Sequence, residues 1–112
     1  MTAHMTLTAE RWSTFSFASQ IMNISSELSR AVSFKKKHDV EHMNASLWRA
    51  LELTDLSLMV SATTGRRREM ARFREALSGI IVGADSETGL SLSDLQAGIE
   101  PFALICARER GV

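Results

Sequence analysis

Five residues of this chain, His38-Asp39-Val40-Glu41-His42, spell H-x-x-E-H, the ligand and base pattern of inverted zincin peptidases. The pattern works when both histidines sit one turn apart on a rigid helix, and a third ligand closes the zinc site. Here Asp39 is better placed as the N-cap of a helix, its carboxylate accepting orphan amides of the first turn. That puts His38 outside the helix. The remaining histidine is His4, near the N-terminus, and three lysines crowd the site. The reading is therefore a capped helix start in which Glu41 complements the positive end of the helix. A zinc hydrolase at His38, Glu41 and His42 stands as a remote alternative. No metal, cofactor or catalytic residue is assigned.

Three other groups of side chains could carry function. Ser16, Gln20, Asn23, Glu27 and Arg30 recur at three- and four-residue spacing, with Ser13 extending the row. Much of this stripe is neutral and hydrogen-bonding, which suits recognition of a protein partner or a polar network inside an oligomer. An ordinary solvent face, with Glu27 and Arg30 paired locally, explains it equally well. Arg66, Arg67, Arg68 and Arg72, with Arg74, form an arginine-rich helix start, and guanidinium forks suit phosphate. Lys35, Lys36 and Lys37 would add to a basic patch at one end of the bundle. Such a patch would bind nucleic acid modestly, with salt sensitivity and no sequence readout. The plain alternative is solvation, or pairing with Asp85, Glu87 and Asp94.

Glu52 and Asp55 lie about one turn apart, a spacing open to acid-base or metal chemistry. No Glu-x-x-His motif accompanies them, so they read as an exposed stripe. Cys106, the one cysteine, cannot form an intrachain disulfide; it reads as a small core residue in a reducing compartment. Trp12 and Trp48 read as core or subunit-interface anchors.

These residues must be positioned by helices. The 112 residues suit one domain, with residues 1–7 a mobile lead-in. One proline and six glycines are too few for a turn-rich β protein, whereas Leu, Ala, Met, Glu and Arg are plentiful. Net charge is zero, yet Arg30 to Arg74 carries ten Lys/Arg against five Asp/Glu, and Glu75 to Ala107 carries five acids and no base.

The first helix is predicted from about Thr8 to Phe34, with Phe17, Ile21, Ile24, Leu28 and Ala31 on one stripe. The second runs from the Asp39 cap to about Ala62. Leu47, Leu51 and Leu58 line one side of it, and Trp48, Leu53, Leu56 and Val60 broaden that face. Thr63 to Gly65 reads as a turn. The third helix runs to about Val82, with Met70, Phe73, Leu77 and Ile80 inward, and Gly83 ends it in the left-handed conformation. Residues 84–92 read as a loop. Ser93 with Gln96 gives a capping-box pattern for a fourth helix, kinked or split near Pro101. The architecture predicted is all-α, an antiparallel four-helix bundle. No secretory pattern and no apolar run of about 18 residues is present, which points to a cytoplasmic protein without membrane contact.

Trp12, Asn23, Ile24, Ser26, Glu27, Arg30 and Ala31 make a tryptophan followed by N-I-x-S-E and R-A. This opening resembles that of short uncharacterised helical-bundle proteins from bacteria and archaea. WRALELTDLSL (48–58), EMARFREAL (69–77) and SLSDLQAGIEPFALICARER (91–110) are similar to their later helices. The resemblance implies a helical bundle and carries over no activity. A looser analogy links the chain to S23-like bundles, some of which form pentamers and contact nucleic acid, and to HEPN-like domains. HEPN ribonucleases place four to six residues between an arginine and a histidine, but Arg30 and His38 are separated by seven. The function expected is a non-enzymatic interaction or scaffold module, acting through a homo-oligomer or a protein partner. The alternative is an accessory nucleic-acid-binding subunit.

Overall fold

The computed structural model describes residues 8–61, 63–83 and 91–99. All regular structure among them is helical. The helices are α1 (Ala9–Trp12), α2 (Phe17–Lys36), α3 (Val40–Val60) and α4 (Thr64–Ile81), and residues 92–99 form α5. The expectations for His4, the 84–90 loop, Pro101 and Cys106 fall outside the described residues.

Each helix starts on a side chain that accepts an amide of its first turn. Thr8, Ser16, Asp39 and Thr63 cap α1 to α4, each accepting from the amide three residues on. Asp39 caps as the sequence predicts. α4 begins inside the stretch predicted to be a turn. For α5 the predicted Ser93/Gln96 box is replaced by Ser91 and Asp94. The Asp94 amide donates to Ser91 Oγ at 3.1 Å, and the Ser91 amide donates to Asp94 Oδ2 at 3.1 Å. Starting there brings Leu92, Leu95 and Ile99 onto one buried face. Gln96 is released to donate to Ser29 Oγ at 2.7 Å, tying α5 to α2.

The predicted 8–34 helix is broken between Ser13 and Ser16. Short hydroxyl side chains compete with the helix for its own carbonyls. Ser13 Oγ donates to the Glu10 carbonyl and Thr14 Oγ1 to the Arg11 carbonyl, both at 2.6 Å, and Ser16 is extended (φ −62°, ψ 157°). The break turns Trp12 inward, where it is 2% exposed and its indole Nε1 donates to Ser57 Oγ at 2.9 Å.

Ile21, Ile24, Leu28 and Ala31 are fully buried on α2, as their spacing predicts. Opposite them α3 presents Ser46, Ala50, Thr54 and Ser57, all fully buried. Residues four and three apart share a helix face, so this is a stripe of small side chains against which α2 packs. Leu47, Leu51 and Leu53 flank it. Both hydroxyls have partners, Thr54 donating locally to the Ala50 carbonyl at 2.7 Å and Ser57 accepting from the distant Trp12. From α4, Met70 and Leu77 enter the core, with Phe73 and Ile80 partly buried against it. Gly83 ends α4 at φ 83°, its amide donating to the Ile80 carbonyl.

Candidate functional site

At HDVEH the helix begins after its first histidine. His38 lies in the left-handed region, φ 58°, before the Asp39 cap. Asp39 Oδ1 accepts the His42 amide at 3.2 Å, and Oδ2 lies 2.8 Å from His42 Nδ1. The His42 amide above all holds this carboxylate below its ordinary range; desolvation opposes it, and the His42 ring and then Lys37 add smaller lowering effects. The His42 ring stacks on Phe34, with centroids 5.2 Å apart. The two histidines are therefore not neighbours on one helical turn. Among the described residues no three His, Cys, Asp or Glu side chains converge to hold a metal.

The stripe read as one recognition face on the first helix is divided between surface and core. Ser16 is exposed and caps α2; Asn23 is exposed and donates from Nδ2 to the Ser19 carbonyl at 2.8 Å. Gln20 and Glu27 are buried, 4% and 6% exposed, which corrects the outward placement expected of them. Gln20 Nε2 donates to the Trp12 and Phe15 carbonyls, at 3.3 and 3.1 Å, taking up backbone acceptors left by the end of α1. Glu27 accepts from Arg30 Nη1 at 3.0 Å and from Arg49 Nε at 3.3 Å. Arg49 Nη2 also donates to Ser46 Oγ at 3.2 Å. A buried carboxylate needs such partners, because its desolvation is otherwise uncompensated. The polar pattern arises because it links α1, α2 and α3 inside one chain.

The basic residues do not form one patch. Arg66 holds its guanidinium carbon 4.6 Å above the centre of the Phe17 ring, so the start of α4 adjoins the start of α2. Lys35 and Lys36 lie in the last turn of α2, and Lys37 is its C-cap. A helix of that length separates the two groups by roughly 30 Å. The lysines complement the negative end of α2. Arg72 pairs with Glu69 at 3.3 Å, and Arg74 pairs closely with Asp55, which raises the Arg74 pKa above its ordinary value. Arg66, Arg67 and Arg68 are exposed and meet no carboxylate among the described residues.

Trp48 corrects the sequence reading most clearly. Expected to broaden the buried face of α3, it is 53% exposed, and Met59 is 72% exposed. Eleven residues is close to three helical turns, so both lie on the outward face, about 16 Å apart along the axis. Glu52 and Asp55 lie between them on the same face. The available signal was the circumference: α3 carries apolar residues on more sides than its neighbours can cover. A further concavity, an open cleft of about 330 Å³, lies between α4 and α5, with Ile21, Met70, Phe73, Leu95 and Ile99 among its walls. Set against known protein families, curated proteins and solved structures, the chain matches none.

Proposed function

We propose that the chain is a non-enzymatic helical interaction module that self-associates through the outward face of α3. In this reading it is an antiparallel four-helix bundle, α2 to α5 with α1 as a strap, and it works in the cytoplasm. The observation that carries the reading is the exposed Trp48, with Met59 on the same face. Exposed aromatic and methionine side chains are enriched at interfaces, and a tryptophan in water forgoes much of its burial energy. Two copies pairing α3 against α3 in opposite senses would bring each Trp48 onto the other's Met59. A sulfur–aromatic contact adds about 0.3–1.5 kcal/mol to such burial. Asp55, between them, has its charge offset by Arg74 of its own chain.

Light scattering after size exclusion tests this directly. The wild type should form a defined oligomer, and Trp48→Ser should shift it to monomer without changing helical content. A Trp48→Ser protein of unchanged mass would overturn the assignment.

A further inference from the structure

Half of the eight arginines that the structure describes pair with a carboxylate; Arg11, like the cluster at the start of α4, has none among the described residues. Arg30 and Arg49 share Glu27, Arg72 takes Glu69 and Arg74 takes Asp55. Arg66, Arg67 and Arg68 are the contrast: three consecutive exposed guanidinium groups with no carboxylate among the described residues. Arg66 and Arg67 lie in the first turn of α4 and Arg68 directly follows it, and neither that turn nor the first turn of α2 contains an acid. Positive charge there opposes both helix dipoles, and the Arg66 contact with Phe17 accounts for only one of the three.

A second observation lies beside the first. Arg66 stacks on Phe17, and two residues before Phe17 the Phe15 ring is 39% exposed, held edge-on against Trp12 with centroids 5.4 Å apart. The Gln20 bond to the Phe15 carbonyl fixes the backbone there. This end of the molecule therefore combines the exposed guanidinium groups of Arg67 and Arg68, which meet no carboxylate among the described residues, with a braced aromatic ring open to solvent. Proteins that bind single strands use that combination, cations tracking the phosphates and rings stacking on unpaired bases. Three successive helix positions fan around the axis, which fits one flexible backbone better than the groove of a duplex.

We propose that Arg66, Arg67 and Arg68, with Phe15, form a binding site for single-stranded nucleic acid, read through phosphates and base stacking rather than sequence. The site is separate from the α3 face and does not depend on self-association.

Fluorescence anisotropy with a labelled twenty-nucleotide oligo(dT), and with a mixed-sequence duplex of equal length, tests it. Three phosphate contacts on a single strand predict a log–log salt slope of about −2, so affinity should fall roughly fifteen-fold between 50 and 200 mM salt. Arg67→Glu with Arg68→Glu should weaken oligo(dT) binding at least tenfold, both residues being exposed and their loss tolerable to the fold. Phe15→Ala should weaken oligo(dT) several-fold and leave the duplex nearly unaffected. Lys35→Glu with Lys36→Glu, at the other end of α2, should bind as wild type, and so should Trp48→Ser. Four results would overturn the proposal: no binding at 50 mM salt, an arginine double variant that binds as wild type, a duplex preferred over the strand, or displacement of oligo(dT) by poly-glutamate at equal charge.

Discussion

Glu27 shows how a residue that looks like surface becomes part of the interior. Its spacing with Arg30 suggests an ordinary exposed pair, but Arg49 reaches it from α3 and closes a bridge between helices. Removing the carboxylate leaves Arg49 facing the buried Ser46. Glu27→Ala should therefore cost about 3 kcal/mol in urea denaturation. Asn23→Ala, on the exposed side of the same helix, should stay within about 0.5 kcal/mol. A Glu27 variant as stable as the Asn23 variant would show that the bridge contributes nothing. Asp39 sets a pH dependence whose sign is fixed. Its pKa is lower in the fold than in the unfolded chain, so its contribution is complete above the unfolded value, about 3.9, and is lost as pH falls through the folded value. Asp39→Ala should be less stable than wild type at pH 7, and the gap between them should narrow as pH falls below the unfolded value. A gap that persists unchanged at pH 2 would assign it to something other than the ionised carboxylate.

At the scale of elements, the sequence discloses the α2 stripe and the Asp39 cap because periodicity and capping chemistry are local. Ile21, Ile24, Leu28 and Ala31 are buried as their spacing requires. The break at Ser13 to Ser16 was only partly legible: the Ser13, Thr14 and Ser16 side chains are local signals, but Gln20 and Ser57, which fix it, act across eight and forty-five residues. The α5 start was misread for a different reason: two overlapping capping patterns exist, and burial of Leu92 chooses between them. Ser91→Ala should therefore cost about 1 kcal/mol, while Ser93→Ala should be near neutral. Equal effects in thermal melts would contradict the Ser91/Asp94 box. The small-residue stripe of α3 predicts a further asymmetry. Ala50→Leu would overpack the α2 contact and cost about 1–3 kcal/mol, measurable as a lowered urea midpoint.

At the scale of the molecule, the charge imbalance seen in sequence resolves into separated regions. Lysines finish α2 at one end, arginines without a carboxylate among the described residues begin α4 at the other, and α3 turns Trp48 and Met59 outward between them. Among the described residues no helix is long and apolar enough to cross a membrane. Which tryptophan faces solvent was hidden from sequence, because exposure depends on where the neighbouring helices lie. The two tryptophans now offer a direct readout, one buried on Ser57 and one open to solvent. The decisive measurement is emission and acrylamide quenching of a Trp12→Phe protein, whose only fluorophore is Trp48, followed through a dilution series alongside sedimentation. Self-association through α3 predicts that Trp48 is shielded and blue-shifted in the oligomer, and becomes red-shifted and quenchable as the complex dissociates. An oligomer that dissociates while Trp48 stays equally exposed throughout would contradict the account.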